Sequence, residues 1–267
     1  MPIGTYTMLK GTKPHFEEAR SANYYAYGPA GSVATYKKIS GVITLPEKIR
    51  LVGTGGGRNA FISLGVTAYG TQRGIDIGLR NRGLGCHNSE FGVNIDSNDK
   101  GYGWHPYCIE LDKNIDAGYY FDGQKNIHKH GQAVATRDSY IAPSTATQAR
   151  FEIVPNSTGK SVHFKVTWLN ASGNQVGKVF DQNIGLEGTY RWDNFCRFAS
   201  LVTEAEGATM NDSTYVINGS FSTMKIGSAN WGIPTAQVPT AWIMNEPKCQ
   251  VVSKWDVGET FKIDHWA

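Results

Sequence analysis

The chain has 267 residues, of which 40% are hydrophobic, 12% aromatic and only 18% charged, with 31 glycines, a mix that can build a packed core and sets aside intrinsic disorder. Lys+Arg 26 against Asp+Glu 23 leaves a formal charge of +3, and the longest basic cluster is Lys37-Lys38, so no nucleic-acid or anionic-membrane surface is expected. No apolar run approaches the roughly 18 residues of a membrane helix, and the opening MPIGTYTMLKGTK lacks the basic and apolar regions of a signal peptide.

Cys86, Cys108, Cys196 and Cys249 match no CxxC, zinc-knuckle or haem-attachment spacing. An even count allows disulfides, with Cys86 and Cys108 on neighbouring runs, but small buried hydrophobes are the favoured reading.

Residues 1–30 read as an irregular, Tyr-rich N-terminal arm with room for one short helix over 15–23, started by Pro14. Tyr24, Tyr25 and Tyr27 would pack the arm onto a sheet ahead of the Gly28-Pro29 turn. Residues 31–267 read as one β domain. Strand patterns run over 33–38, 41–45 and 49–52. The glycines from Gly53 to Gly57 precede no Gly-Lys-Ser/Thr, so they predict a hairpin connection and not a phosphate loop.

Strands are next predicted over 59–68 and 74–80. In the second, Ile75, Ile77 and Leu79 alternate with Asp76, Gly78 and Arg80, so one face is core and the other polar. The run 90–97 repeats the pattern, with Phe91, Val93 and Ile95 opposite Glu90, Gly92, Asn94 and Asp96. The aromatic turn Trp104, His105, Pro106, Tyr107 leads into a strand over 107–111, and 115–121 ends at the hairpin signal Asp122-Gly123. Residues 126–144 read as a long surface loop holding a short strand over 132–136.

Strands 148–154 and 161–169 flank a turn from Pro155 to Gly159. In the latter, Val162, Phe164, Val166 and Trp168 should face inward and His163, Lys165 and Thr167 outward. Runs over 175–181, 192–203, 215–226 and 259–265 complete the chain. With roughly twelve to fifteen short strands, no linker and no repeat, the pattern predicts an all-β fold: a two-sheet antiparallel β-sandwich of jelly-roll type, as a single domain.

Glycoside cleavage needs two carboxyl groups about 5 to 9.5 Å apart. Glu204 and Glu206 alternate but sit at a strand end beside Gly207 and read as solvated; Asp76 with Glu90 or Glu110 is the other pairing. There is no Gly-x-Ser-x-Gly elbow, and Cys86-His87 are adjacent, which on a strand separates them to opposite faces. His128 and His130 share one side of an extended segment with no third ligand at suitable spacing. No catalytic residue, cofactor or metal is therefore assigned. Sugar binding asks for flat rings and side chains that meet vicinal hydroxyls, and Asp76, Arg80, Asn94, Trp104, His105, Tyr107 and Tyr120 supply that set, with Tyr119 beside it. Asn-x-Ser/Thr triplets at Asn156, Asn170, Asn211 and Asn218 fall in or beside predicted turns, where they suit either glycan acceptance or plain turn chemistry.

Three short motifs carry a resemblance: the strand with Asp76, Gly78 and Leu79, the turn with Trp104, Pro106 and Tyr107, and the segment Arg197-Phe198. Through them the chain resembles the concanavalin A-like lectin and glucanase sandwiches, and more narrowly the YrpD-like group of bacterial secreted proteins. The resemblance implies a jelly-roll sandwich located outside the cell or at its surface, and it implies no activity. The closely spaced acidic motif of the glucanase branch is absent. The expectation is a non-enzymatic, lectin-like carbohydrate-binding module that binds a glycan. A structural surface protein that self-associates and a glycan-cleaving enzyme are the alternatives.

Overall fold

The computed structural model describes residues 16–27, 38–46, 59–69, 74–82, 87–88, 93–94, 104–110, 119–121, 126–129, 132–136, 142–186, 189–190, 192, 194–204, 216–231, 249–255 and 258–264. Among the described residues every regular element is a strand. In chain order these are β1 (Phe16–Tyr27), β2 (Ile39–Thr44), β3 (Asn59–Tyr69), β4 (Gly74–Arg82), β5 (His87–Asn88), β6 (Val93–Asn94), β7 (His105–Glu110), β8 (Tyr119–Phe121) and β9 (Asn126–Lys129). There follow β10 (Gln132–Thr136), β11 (Gln148–Pro155), β12 (Ser161–Leu169), β13 (Phe180–Gly185), β14 (Asn194–Glu204), β15 (Val216–Ile226), β16 (Ala229–Asn230), β17 (Cys249–Trp255) and β18 (Gly258–Asp264).

Two antiparallel sheets make the sandwich. One is five-stranded in the order β1-β14-β3-β4-β7; the other runs β13-β12-β11-β2-β15-β18-β17, with β16 paired to β15. Smaller sheets are formed by β10-β9-β8 and by β5-β6. The core lies between the large sheets: Leu64, Val66, Ile77, Leu79 and Cys108 come from the five-stranded sheet, and Ile43, Phe151, Phe164, Trp168 and Phe221 from the other. This is the all-β, two-sheet antiparallel sandwich expected from the strand pattern.

β12 shows why the pattern is legible. Val162, Phe164, Val166 and Trp168 are fully buried, while His163, Lys165 and Thr167 alternate with them half-buried. Burying each such apolar side chain stabilises the fold by about 1.5–3 kcal/mol, so a one-residue slip that exposed the set is strongly disfavoured. Phe164 meets Phe180 edge to face at 5.5 Å, extending the same row onto β13. The turn that starts β12 is built by Asn156, whose Oδ1 accepts from the Thr158 amide at 2.9 Å and the Thr158 hydroxyl at 2.6 Å. Gly159 follows at φ 71°, and a Cβ there would stand 2.1 Å from the Tyr190 carbonyl oxygen, so this tip accepts only glycine.

Several expectations are corrected. The segment 15–23, read as room for a helix, lies largely in β1, which pairs with β14 from Phe16 opposite Glu204 to Tyr27 opposite Asn194. The helical preference of Glu17, Glu18, Ala19 and Arg20 amounts to tenths of a kcal/mol per residue, and a full ladder of sheet hydrogen bonds outweighs it. Within 126–144, read as a loop holding a short strand over 132–136, that strand is present as β10, and the part not expected is β9, which pairs antiparallel with it. The strand expected over 175–181 starts only at Phe180, opposite Val166, and Gln175 makes a single bridge to Leu169. Asn218 lies in β15 opposite Lys262 and not in a turn. β17 was not anticipated. The runs expected over 33–37 and 49–52, most of 90–97, and residues 111 and 115–118 lie outside the described residues, as do Cys86, His130, Glu206 and Asn211.

Candidate functional site

β4 lies between β3 and β7 in the five-stranded sheet, and its alternation divides the sheet into two faces. Ile75, Ile77 and Leu79 point into the core cluster. Asp76, Gly78 and Arg80 belong to the other face. Residues directly opposite in an antiparallel pair share a face, so the register carries that face across neighbouring strands. Arg80 stands opposite His105 on β7 and Ser63 on β3; Gly78 opposite Tyr107 and Gly65; Asp76 opposite Ile109 and Thr67. The rows continue onto β14 and β1, with Ser200 and Arg20 in the row of Arg80, and Phe198 and Ala22 in the row of Gly78.

Burial separates the aromatic turn as well. Trp104 is 5% exposed and belongs to the core cluster with Cys108. Tyr107 is 2% exposed yet stands outside that cluster, as its position opposite Gly78 requires. Asp76 and His105 are each 4% exposed, and Arg80 is partly exposed. The polar face is thus closed at Asp76, His105 and Tyr107 and reaches solvent at Arg80. Burying a carboxylate or an imidazole is unfavourable unless it is paired or hydrogen-bonded, which distinguishes this cluster from an ordinary solvated strand face. The Arg80 guanidinium lies over the Tyr107 ring, 4.5 Å from its centroid.

Gly65 and Gly78 make the arrangement sterically feasible. A Cβ on Gly78 would stand 2.1 Å from the Leu64 carbonyl oxygen and 2.6 Å from Gly65 Cα; one on Gly65 would stand 2.3 Å from the Ile77 carbonyl oxygen. The two backbones approach at this pair as only glycine permits. The face carries no side chain between Tyr107 on one flank and the position of Phe198 on the other.

Of the residues singled out in the sequence, Asp76, Arg80, His105 and Tyr107 come together on one face, and Trp104 packs on the opposite side of the sheet. Asn94 lies in the separate β5-β6 pair and Tyr120 in the β8-β9-β10 sheet, opposite His128. Glu110 stands opposite Ile75, so its position falls across the pleat from Asp76. Missed in the sequence were Ser63, Gly65 and Thr67, which β3 adds to the face. A glycine in the middle of an apolar strand, as at Gly65, is the signal that would have pointed to a close backbone approach.

A second polar cluster sits on the outer face of the larger sheet. His163 Nε2 is 2.6 Å from Asp181 Oδ1, and Lys165 Nζ is 3.2 Å from Asp181 Oδ2. The hydrogen bond from His163, with Lys165 adding to it, holds the Asp181 carboxyl below its ordinary range. All three are partly exposed, as in a cross-strand surface ion pair. Among the described residues, no group of three or more His, Cys, Asp and Glu could hold a metal ion. No helix among them is long and apolar enough to cross a membrane.

Fold and face together define an all-β sandwich with a partly closed polar and aromatic cluster on one sheet. No protein-family model matches the chain, so the likeness to the YrpD-like group finds no support, and no curated protein matches it. Among solved structures it is similar to scytalido-glutamic peptidase with a peptide-based transition-state analog, at 10% identity, covering 93% of this chain and 99% of that one, with a TM-score of 0.43. It is also similar to SCP-B, a member of the eqolisin family of peptidases in complex with the tripeptide Ala-Ile-His, at 12% identity, with the same coverage and a TM-score of 0.40. Lectin I from Ulex europaeus, in complex with the methyl glycoside of α-L-fucose, is a weaker likeness at 10% identity, 72% of this chain, 89% of that one and a TM-score of 0.25. Likenesses this distant carry no argument about chemistry.

Proposed function

We propose that the protein is a non-enzymatic, lectin-like module that binds carbohydrate through the face of the five-stranded sheet turned away from the core, outside the cell or at its surface. One observation carries the reading. Asp76, Arg80, His105 and Tyr107 gather on that face around paired glycines, with Arg80 at the solvent side. A flat ring beside hydrogen-bonding side chains is the chemistry a sugar needs, and Arg80 is the partly exposed member of the set. Cleavage is less well supported, because Glu110 falls on the other side of the pleat from Asp76 and Glu204 stands eight residues along β14 from Cys196, the residue in Asp76's row, or about 27 Å at 3.4 Å per residue. That exceeds the separation of a carboxylate pair.

The test is a glycan array followed by calorimetry with the best ligand. Tyr107→Leu and Arg80→Ala should each weaken binding at least tenfold while the circular dichroism spectrum is retained. An array without hits, or full affinity in both variants, refutes the reading; shortened products in mass spectra of the incubated glycan would make the protein an enzyme.

A further inference from the structure

Of the four Asn-x-Ser/Thr triplets, three begin at described residues, in three different settings. Asn218 lies in the β15–β18 ladder, opposite Lys262. Asn170 is half-buried, in the turn that follows β12. Asn156, Ser157 and Thr158 are all exposed, at the tip of the β11–β12 hairpin. The other flank of that tip is closed, since Gly159 is buried and its carbonyl accepts from the Tyr190 amide at 3.0 Å. The backbone of Asn156 is committed as well: its amide donates to the Ser161 carbonyl at 3.0 Å, and its carbonyl accepts from the Gly159 amide at 3.1 Å. The two ends of its side-chain amide differ. A backbone amide can only donate, so the atom facing the Thr158 amide at 2.9 Å is Oδ1, which also accepts from the Thr158 hydroxyl at 2.6 Å. Nδ2 makes no hydrogen bond among the described residues.

We infer that Asn156 is an attachment site for an N-linked oligosaccharide, transferred from a lipid-diphosphate-linked sugar by an oligosaccharyltransferase. The transfer breaks the bond between sugar C1 and the diphosphate oxygen and forms one between C1 and Nδ2. The bonding pair leaves with the lipid diphosphate, and one amide proton passes to a base of the transferase. That step consumes an N–H the hairpin does not use and leaves Oδ1 an amide oxygen, so the turn closes in the product as it does in the unmodified chain. Asn156 and Thr158 form the required triplet, with Ser157 and not a proline between them. Three consecutive exposed residues give a bulky polar group room in solvent. The inference shares with the proposed function only the location outside the cell, and it is independent of what the five-stranded sheet binds.

The test routes the full chain through the secretory pathway of cultured eukaryotic cells and maps its peptides by mass spectrometry. Most of the secreted chain should carry an N-acetylhexosamine-containing mass at Asn156 that peptide N-glycosidase removes. Asn156→Gln and Thr158→Ala should each abolish it, and Thr158→Ser should keep it. The secreted chain and secreted Thr158→Ala differ by that sugar and one exposed hydroxyl, so their melting temperatures should agree within about 4 °C. A secreted chain unmodified at Asn156 overturns the inference. A modified chain that melts more than about 4 °C below Thr158→Ala overturns the argument that the turn accommodates the sugar. Glycan-array binding by the chain made in bacterial cytosol, which carries no sugar, tests the sheet-face reading separately.

Discussion

Gly78→Ala probes the feature on which the candidate site depends, the close approach of β3 and β4. The added methyl group would stand 2.1 Å from the Leu64 carbonyl oxygen, 2.6 Å from Gly65 Cα and 2.9 Å from the Leu64 carbonyl carbon. Every one of these is a backbone atom, so no side chain can rotate away and the strands themselves must separate. Overpacking a filled interior costs about 1–3 kcal/mol, and a purely backbone clash belongs at the upper end, about 2–3 kcal/mol. In a domain of this size each kcal/mol lowers the melting temperature by roughly 2–4 °C, which predicts a fall of about 4–12 °C. Gly173→Ala is the comparison: its φ is 77°, and a Cβ there meets nothing within 4 Å. That variant loses only the glycine's conformational ease, about 1–2 kcal/mol. Both are measured by urea titration and by melting followed with circular dichroism. If Gly78→Ala is no less stable than Gly173→Ala, the close approach of the two strands does not constrain the fold and the reasoning fails.

Two further outcomes are expected. Trp104→Ala should cost about 3–5 kcal/mol in a denaturant titration, because it empties a site in the core between the sheets; a loss near zero would place the ring outside the core. Asp181 has its folded-state pKa depressed, so the stabilisation it contributes is present above its ordinary value of 3.8 and is lost as pH falls through the lower folded value. Its exposure limits the effect to about 1 kcal/mol or less. Asp181→Asn should therefore flatten the stability–pH curve below about pH 4, and an unaltered curve would remove His163 and Lys165 as the cause.

The candidate site was partly legible in the sequence. Asp76, Arg80, His105 and Tyr107 stand out because a strand alternates strictly and the residue types are polar or aromatic on one parity. Trp104 was grouped with them as a neighbour in sequence, yet its parity in the strand that follows matches Cys108, and the structure packs both into the core. Asn94 and Tyr120 were grouped by proximity along the chain, whereas their strands pair into other sheets. Gly65 leaves a trace in the sequence as a glycine inside an apolar strand, whereas Ser63 and Thr67 were invisible because their place depends on a register with β4 that the local pattern does not encode.

What the sequence alone determined is the parity of each strand and the position of its turns. Backbone pleating puts Ile75, Ile77 and Leu79 on one side and Val162, Phe164, Val166 and Trp168 on another whatever their partners are, and the Asn156 side chain closes its own turn within three residues. What the tertiary structure decided is what covers each face and which strands meet. Phe16 opposite Glu204 joins residues that are remote in sequence, and it turned a segment with helical preference into an edge strand. Asp76 reads in the sequence as part of a polar strand face and is 4% exposed in the fold, because burial is set by the chain packed over a residue and not by the residue's own polarity.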